Sequence, residues 1–264
     1  MRAITFLSDY GTADEFVGVV HAVIARLCPD ARVIDLGHGV PPQDVRSGAA
    51  RLARALPYAP AGVHLAVVDP GVGGPRRALA LRTRGEGRIL VGPDNGLLIP
   101  AAERFGGVAE AVEISDSPWR LEPVSATFHG RDLFAPVAAH LAAGEDLREA
   151  GEPLGVEELA VLELPRPRVE PGAAVGHALL VDGFGNVALN LAHEDMLEAG
   201  LTLGTAVAVR DRPATVVQTF ADVAAGNLLV YEDAWGAVAV AINRGDAASE
   251  LGIARDDEVR IARR

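Results

Sequence analysis

The sequence is poor in cysteine: Cys28 is the only one among 264 residues, so an intrachain disulfide is excluded. Long apolar runs are also missing, and none approaches the roughly 20 residues that a membrane-spanning helix needs. The first residues enter a predicted strand and carry no signal-peptide pattern. We therefore expect a protein that works in the cytoplasm and has no membrane partner.

An excess of positive charge is absent as well. The formal net charge is -12 at pH 7, and the sequence pI is about 5.0. Nucleic acids and anionic membrane surfaces attract proteins with dense positive charge, so neither is an expected partner. A small polar ligand fits this composition better.

The usual sequence signatures of a metal site are missing too. The chain has no His-Glu-x-x-His segment and no Cys-x-x-Cys pair. Its seven histidines are scattered along the sequence. We therefore expect no bound metal ion.

Aromatic residues make up 5% of the chain and apolar residues 49%, which indicates a globular core of Ala, Val and Leu. In the first half, short apolar runs alternate with helical patterns in a βαβαβ order. This alternation predicts an α/β domain with a mostly parallel sheet between helices, whose functional loops lie at the carboxyl ends of the strands. The predicted elements are Ala3–Leu7, Phe16–Leu27, Val33–Leu36, Val45–Leu56 and Val63–Val68, followed by strands Ala78–Arg82 and Arg88–Val91.

Prolines cluster at residues 165–171, and this pattern is typical of a semi-rigid connector. We place a first domain at residues 1–160, the connector at 161–172 and a second domain at 173–264. The second domain is expected to be a small β-barrel or sandwich. Its predicted strands are Gly176–Val181, Asn186–Leu191, Ala206–Val209, Ala214–Val217, Leu228–Tyr231, Val238–Ile242 and Glu258–Ala262.

Residues 65–77 end an apolar strand at Asp69 and then turn through glycines to Arg76 and Arg77. A carboxylate at the carboxyl end of a strand lies where ligands bind in open α/β sheets, and an arginine can face it across the turn. The simpler interpretation is an Asp-Pro turn with two solvated arginines. Asp9 follows the first predicted strand and is expected on the same edge, either as a helix cap or as a ligand for a diol such as ribose hydroxyls.

Other loops also allow both a purely structural interpretation and a functional one. Phe128 and His129 lie just ahead of a helix predicted from about Leu133 to Ala143, where a histidine is often only a solvated surface residue. The segment from Asp182 to Asn186 is typical of a hairpin turn. Phe184 lies between two glycines of that turn and is a candidate to pack on a ligand or a neighbouring subunit.

Seven segments of this kind occur in order along the chain. They are Ser8-Asp9-Tyr10-Gly11, Val40-Pro41-Pro42-Gln43-Asp44-Val45, Val68-Asp69-Pro70-Gly71-Val72-Gly73, Gly92-Pro93-Asp94-Asn95-Gly96, Phe128-His129-Gly130-Arg131-Asp132, Asp182-Gly183-Phe184-Gly185-Asn186 and Ile242-Asn243-Arg244-Gly245. Together they resemble the S-adenosyl-L-methionine (SAM) hydroxide adenosyltransferases, the adenosine-forming SAM hydrolases related to fluorinases and chlorinases. The resemblance implies an amino-terminal α/β domain, a smaller carboxyl-terminal β-barrel, and a homotrimer whose active sites lie between domains of adjacent subunits.

The resemblance also implies roles for individual residues. Asp69, Arg76 and His129 correspond to a water-positioning triad, and the family's spacing selects Arg76 over Arg77. Where many relatives carry Ser before a Trp-Gly pair, this chain has Ala234, which puts one ligand contact in doubt. The substrate contacts implied are Asp9 for the ribose hydroxyls, Phe128 and Phe184 near the nucleoside, Asp182 and Asn186 for the methionine group, and Asn243 for adenine, with Trp235 and Arg244 beside them.

This constellation of residue types suits attack by water on SAM. The sulfonium of SAM is a good leaving group on C5′, so the protein has to supply an in-line, desolvated oxygen nucleophile. A carboxylate and an imidazole can hold and partly deprotonate water, with an arginine fixing the carboxylate. The expected products are adenosine and L-methionine, with no cofactor; the sequence leaves open whether Asp69 or His129 accepts the proton, or whether hydroxide binds directly.

Three other functions compete with hydrolysis. A halogenase of the same family needs an apolar anion pocket, where Asp69 would repel a halide. A Rossmann-type SAM methyltransferase has no support, because the loop after the first strand lacks G-x-G-x-x-G. A non-catalytic SAM or adenosine sensor would keep Asp9, Asp182 and Asn243 without needing a triad, so the presence of all three triad residues favours an enzyme.

Overall fold

The computed structural model describes residues 3–264. The chain divides into two compact units between Leu162 and Glu163. The first unit is an α/β sandwich and the second is a closed β-barrel, which confirms the predicted fold class. Within the described residues, none of the helices combines the length and the apolar character needed to cross a membrane.

The first unit begins with the predicted βαβαβ order. Its strands are β1 (Ile4–Ser8), β2 (Val33–Gly37), β3 (Val63–Val67), β4 (Ala78–Thr83), β5 (Ile89–Pro93), β6 (Val108–Glu113) and β7 (Glu152–Leu154). Its helices are α1 (Phe16–Leu27), α2 (Val45–Ala55), α3 (Ile99–Glu103) and α4 (Ala135–Ala143).

The sheet of this unit has the strand order β2-β1-β3-β5-β4-β6-β7. The four strands from β2 to β5 in this order pair in parallel, whereas β4, β6 and β7 join by antiparallel pairing. The change occurs because a tight hairpin connects β4 to β5. Glu86 and Gly87 at its tip have φ of 60° and 56°, as a turn that matches strand twist requires. The parallel pairing that the sequence predicted is therefore confined to one half of the sheet, strands β2, β1, β3 and β5. The segments with Asp9 and Asp69 follow two of these strands.

Successive residues of the central strands face opposite helix layers. Phe6, Leu65 and Val67 pack with α1 and α4, whereas Leu7 and Val68 pack with α2 and α3. Helices thus cover both faces of the parallel strands, which explains why these strands are apolar throughout and do not alternate with polar residues.

Strands β1 and β3 are parallel neighbours, with Ser8 opposite Val67. The N–H of Asp9 donates to the carbonyl of Val67 at 3.3 Å. Asp9 and Asp69 therefore leave the sheet at the same edge, as expected from the sequence.

The second unit is a barrel of short strands with small helices at its ends. The strands are β8 (Arg168–Glu170), β9 (Ala173–Val181), β10 (Val187–Ala192), β11 (Ala206–Val209), β12 (Arg212–Val216), β13 (Leu228–Glu232), β14 (Ala237–Ile242) and β15 (Glu258–Arg263), and the helices are α5 (His193–Glu198) and α6 (Ala247–Leu251). The order β10-β14-β13-β12-β11-β15-β9 closes because β9 also pairs with β10, and β8 adds to the side of β9. Valine and leucine side chains such as Val187, Val209 and Val240 fill the interior.

Several short elements have no counterpart in the sequence-based prediction: α3, α5, α6, β6, β7 and β8. Strand β6 is rich in Ala and Glu, which are poor strand formers, and it exists because β4 pairs with it. Strand β8 lies within residues 161–172, the predicted connector, and pairs with β9. The helix expected from Leu133 begins at Ala135, after a wide π-type turn over Gly130–Phe134.

Candidate active site

Asp69 and Arg76 form a buried, two-point ion pair at the end of β3. The Nε atom of Arg76 donates to Oδ1 of Asp69 at 2.9 Å, and Nη2 donates to Oδ2. Only 6% of the Asp69 side chain and 11% of the Arg76 side chain are exposed. Gly71 allows this approach, because a Cβ there would lie 3.0 Å from Cγ of Arg76. The simpler interpretation, a turn with solvated arginines, is therefore wrong for Arg76.

Arg77 points elsewhere, since neighbouring residues in an extended chain face opposite sides. Its Nε donates to Oδ2 of Asp94 at 2.8 Å, and Oδ1 of Asp94 accepts from the N–H of Ala160 at 2.9 Å. Arg77 and Asp94 thus hold the chain near Ala160. Of the two adjacent arginines, it is Arg76 that contacts Asp69.

His129 joins the pair through the same guanidinium. Nη2 of Arg76 donates to Nδ1 of His129 at 2.8 Å. A guanidinium has no acceptor, so Nδ1 carries the lone pair and the proton of the neutral ring is assigned to Nε2. Burial lowers the pKa of His129, the positive charge of Arg76 lowers it further, and the charges of Asp69 and Asp132 act in the opposite direction. The ring is therefore held neutral, with its Nε2–H as a donor.

Asp132 anchors the loop that carries His129. Its side chain is buried, accepts from Nε of Arg131 at 2.5 Å, and accepts from the N–H of Ser125 at 2.8 Å. Burial alone would raise the pKa of Asp132, but Arg131 and the N–H of Ser125 hold it below its usual value. The carboxylate of Asp132 thus links the start of the turn before α4, at Ser125, to its end, at Arg131.

The carboxylate of Asp9 lies beside the same group. Its Oδ2 accepts from the N–H of Gln43 at 2.8 Å. Burial raises the pKa of Asp9. The hydrogen bond from the N–H of Gln43 lowers this pKa, whereas the negative charge of Asp69 raises it further. Helix α1 begins after Glu15 and has no side-chain cap, so the interpretation of Asp9 as a helix cap is wrong.

Three aromatic rings form a wall next to these carboxylates. The ring centroid of Tyr10 lies 5.8 Å from those of Phe16 and Phe128, which are 5.1 Å from each other. Burial raises the pKa of the Tyr10 hydroxyl, and the charges of Asp9 and Asp69 raise it further. The phenol therefore stays un-ionised, and the wall is an uncharged surface beside a charged group.

The loop after β5 reaches the same edge through Asn95. Its Nδ2 donates to the carbonyl of Val68 at 2.8 Å, and its Oδ1 accepts from the N–H of Leu97 at 3.1 Å. Asn95 therefore holds the residue immediately before Asp69.

In the second unit, the segment from Asp182 to Asn186 is a closed turn between β9 and β10. Oδ1 of Asp182 accepts from the N–H groups of Phe184 and Asn186 at 2.8 and 3.0 Å, and Nδ2 of Asn186 donates to Oδ2 of Asp182 at 2.9 Å. The Phe184 ring at its tip is 81% exposed. The hairpin-turn interpretation of the backbone is thus confirmed, and the role of Phe184 in binding stays a prediction.

The remaining predicted contacts of the second unit flank β14. Nδ2 of Asn243 donates to the carbonyl of Val223 at 2.8 Å, and Arg244 has φ of 60°. Before the strand, Trp235 is 48% exposed, and its backbone N–H donates to Oδ1 of Asp233 at 2.9 Å.

Comparison with known proteins identifies the family. Models of the SAM hydroxide adenosyltransferase N-terminal and C-terminal domains match residues 4–151 and 176–260. The chain belongs to the SAM hydroxide adenosyltransferase family. A family member from Salinispora tropica, named (R)-S-adenosyl-L-methionine hydrolase, is 54% identical over 98% of this chain and 97% of its own length.

More distant relatives also match nearly the whole chain. A crystal structure of a conserved protein from Thermotoga maritima is 40% identical, covers 98% of this chain and 100% of its own, and has a TM-score of 0.91. A fluorinase of Actinoplanes sp. is 30% identical over 91% of this chain and 90% of its own length.

In this adenosyltransferase family member, the first unit brings five predicted residues to one sheet edge: Asp9, Asp69, Arg76, Phe128 and His129. The other six lie on loops of the second unit: Asp182, Phe184, Asn186, Trp235, Asn243 and Arg244. The described residues contain no group of three or more His, Cys, Asp or Glu side chains placed to hold a metal ion.

Sequence reasoning missed five residues that shape the site: Tyr10, Phe16, Gln43, Asn95 and Asp132. Four of them, Tyr10, Gln43, Asn95 and Asp132, lie inside the segments that resemble the family, but the sequence analysis assigned them no role. Phe16 had a weaker signal, an aromatic residue at the first position of a helix. Its side chain lies against Phe128, which is distant in sequence, and only the fold shows that contact.

Proposed function

We propose that this protein hydrolyses SAM to adenosine and L-methionine, using a water molecule held by Asp69, Arg76 and His129. The observation that carries the proposal is that one guanidinium, whose side chain is 11% exposed, contacts both other side chains. Membership of the adenosyltransferase family and the name of its Salinispora tropica relative support the proposal. In the reaction, the water oxygen bonds to C5′, the C5′–S bond breaks with its electron pair passing to sulfur, and a proton leaves the water.

Asp69 is the proton acceptor in this mechanism. Neutral His129 has its Nδ1 lone pair occupied by Arg76 and carries a proton on Nε2, so the ring has no free acceptor. Arg76 occupies one lone pair on each oxygen of Asp69, and each oxygen retains another. Water therefore donates to Asp69, while Nε2–H of His129 orients its oxygen.

The neighbouring groups suit the nucleoside part of SAM. Asp9 offers a partly buried carboxylate to the ribose hydroxyls, and Phe128 belongs to the aromatic wall beside it. Such a wall excludes bulk water around C5′, which favours attack by the one water that the triad holds. No metal ion or other cofactor takes part, because the sulfonium is already a good leaving group.

The second unit supplies the rest of the substrate site. Asp182 and Asn186 bind the methionine group, Asn243 meets the adenine, and Phe184, Trp235 and Arg244 line the ligand. Ala234 has no hydroxyl to offer the ligand. The assembly is a homotrimer in which the first unit of one subunit meets the second unit of the next. The exposed rings of Phe184 and Trp235 support this arrangement, because large exposed apolar side chains favour a ligand or partner. A cytoplasmic location stays a prediction.

One assay distinguishes hydrolysis from two other functions, a non-catalytic sensor and a halogenase. Purified protein is incubated with SAM, and adenosine and methionine are followed by chromatography, with and without EDTA and with excess chloride. Hydrolysis predicts equal amounts of both products in all three conditions. Binding without turnover would indicate a sensor, a 5′-chloro product would indicate a halogenase, and loss of activity in EDTA that one divalent ion restores would overturn the metal-free mechanism.

A further inference from the structure

A chain of polar contacts lies behind the loop that carries Asp9. Oγ of Ser8, the last residue of β1, is 2.8 Å from Nδ1 of His38. Nε2 of His38 is 3.1 Å from Oδ1 of Asp35, and the same oxygen is 2.8 Å from Nε2 of His21. At the other end, Oγ of Ser8 accepts from the N–H of Tyr10 at 3.3 Å. The chain thus runs from a surface carboxylate to the backbone next to Asp9.

The carboxylate of Asp35 determines the direction of these contacts. A lone pair on Nε2 of His38 at 3.1 Å from a carboxylate oxygen would be repelled, so Nε2 carries the proton. Its N–H is not aligned well enough for a hydrogen bond, since the buried Nε2 has no aligned partner among the described residues. The contact with Asp35 is therefore electrostatic. Nδ1 of His38 then accepts from the hydroxyl of Ser8, whose other lone pairs remain for the N–H of Tyr10.

The contacts of His38 with Ser8 and Asp35 resemble those of a nucleophilic Ser-His-Asp triad. The burial of Ser8 excludes that role. Its side chain has no exposed surface, and a nucleophile has to reach its substrate. The histidine ring is also held in place, since it packs against Phe6 with ring centroids 4.6 Å apart. The group is therefore suited to holding the backbone in position.

The segment from His38 to Gln43 contacts the loop from Ser8 to Gly11 at three points. The ring of His38 accepts from Ser8, the carbonyl of His38 accepts from the N–H of Gly11 at 2.8 Å, and the N–H of Gln43 donates to Asp9 at 2.8 Å. Two of the three points depend on His38. Losing its ring contact would remove the partner that orients the hydroxyl of Ser8, which in turn holds the N–H of Tyr10, while the backbone of Ser8 stays paired with β3.

We propose that Ser8 and His38 are positioning residues for the ribose-binding carboxylate of Asp9. They fix the backbone on both sides of Asp9, so that its free oxygen meets the ribose hydroxyls without first having to be ordered. This inference rests on the proposed function, because it assigns the loop to the nucleoside part of SAM.

The chain offers a matched control on the same strand. Oγ1 of Thr5 is 2.8 Å from Nδ1 of His64, in a buried hydroxyl–imidazole contact of the same length. Here the ring is the donor, because Nη1 of Arg88 lies 3.3 Å from Nε2 of His64 and leaves the proton on Nδ1. Thr5 lies three residues before Ser8 along β1, or about 10 Å away. Removing either hydroxyl leaves Nδ1 of a buried imidazole without its hydrogen-bond partner, but only Ser8 is next to the Asp9 loop.

The experiment measures the dissociation constants of adenosine and 2′-deoxyadenosine by calorimetry, together with KM for SAM and Tm. The variants are Ser8→Ala, His38→Gln, His38→Asn and Thr5→Val. We expect Ser8→Ala and His38→Gln to weaken adenosine binding about tenfold and to reduce the preference for adenosine over 2′-deoxyadenosine. His38→Asn should stay within about threefold of wild type, because its side-chain oxygen replaces Nδ1. Thr5→Val should lower Tm without changing either affinity.

The nucleoside preference separates positioning from simple stability. If Ser8→Ala and His38→Gln fold and keep the wild-type preference, the inference is overturned, whatever their Tm. It is also overturned if Thr5→Val changes the preference as much as Ser8→Ala does. A wild-type protein that neither cleaves SAM nor binds adenosine would overturn the proposed function and this inference together, whereas an active wild type with unaffected variants would overturn the inference alone.

Discussion

The guanidinium of Arg76 connects two side chains that come from distant parts of the sequence. Its Nε and Nη2 atoms reach both oxygens of Asp69, and Nη2 also reaches Nδ1 of His129. The planar fork of N–H donors fixes the angle between the carboxylate and the ring, which a single ammonium cannot do. The geometry of this cluster therefore requires the guanidinium of an arginine, beyond its positive charge.

Replacing Arg76 by lysine tests this dependence, with the adjacent arginine as control. Arg76→Lys should lower kcat/KM for SAM by about 10²-fold or more, because the carboxylate and imidazole lose their common anchor. Arg77→Lys should stay within about threefold of wild type, since Arg77 binds Asp94 and the chain near Ala160. Steady-state kinetics of both proteins measure this. Near wild-type kcat/KM in Arg76→Lys would show that the positive charge alone is sufficient, and an equal loss in Arg77→Lys would show that the effect is not specific to the contact with Asp69.

The assignment of His129 as a donor leads to a second comparison. The amide of glutamine places a donor near the position of Nε2, whereas that of asparagine replaces Nδ1. His129→Gln should therefore keep about tenfold more kcat than His129→Asn, because in the proposed mechanism Nε2–H contacts the water. The opposite order in single-turnover rates would mean that the contact of Nδ1 with Arg76 matters more than the donor on the other nitrogen.

At the scale of elements, β1 and β3 are joined by a buried histidine. His64 on β3 contacts Thr5 on β1, and its Nε2 lies 3.3 Å from Nη1 of Arg88. Burial lowers the pKa of His64 to about 3, and the positive charge of Arg88 contributes. The unfolded chain has the ordinary value near 6.5, so the unfolded state binds a proton over a range of pH in which the folded state does not.

The sign of the resulting pH dependence follows directly. The contribution of neutral His64 to stability is complete above pH 6.5 and is lost as the pH falls from 6.5 towards 3, by about 1.4 kcal/mol per pH unit. We expect the difference in Tm between wild type and His64→Gln to shrink between pH 7 and pH 5, on the order of 4 °C for a chain of this size. Thermal unfolding at both values measures it. A difference that is the same at both pH values would refute the lowered pKa.

The elements that the sequence predicted are those with strong local signals, either helical periodicity or a short apolar run between turn residues. Helix α1 has the predicted bounds, and β1 and β3 are close to theirs, because each is a short apolar run next to glycine, proline or aspartate. The missed strand β6 has no such signal, since its partner β4 lies about 25 residues earlier and tertiary pairing overrides propensity.

The candidate site shows the same division between local and tertiary signals. The contact of Arg76 with Asp69 follows from a glycine turn and a fixed spacing, so the sequence could predict it. The contact of Phe16 with Phe128 and the polar chain through His38 join residues that are far apart in sequence, and only the fold brings them together.

At the scale of the whole molecule, the predicted ligand groups are divided between the two units. The triad and Asp9 belong to the first unit, and Asn186 and Asn243 belong to the second. In the proposed homotrimer, each site takes one half from each of two subunits, through the head-to-tail contacts of a cyclic assembly.

Mixing two inactive variants tests the shared site. Asp69→Ala and Asn186→Ala chains, dissociated together and reassembled, should regain a fraction of wild-type turnover, because some interfaces pair two intact halves. Each variant reassembled alone is the control and should stay inactive. No recovery in the mixture would place the site within one chain, and a fully active species with a monomeric mass would exclude the shared site altogether.

The central claim is that water, held by Asp69, Arg76 and His129, attacks C5′ of SAM. Turnover in ¹⁸O-labelled water, with mass spectrometry of both products, tests it most directly. The account predicts one ¹⁸O atom in the 5′-hydroxyl of adenosine and none in methionine, with the labelled product reduced at least about 10²-fold in Asp69→Asn. Unlabelled adenosine, label in methionine, or an undiminished yield from Asp69→Asn would contradict it.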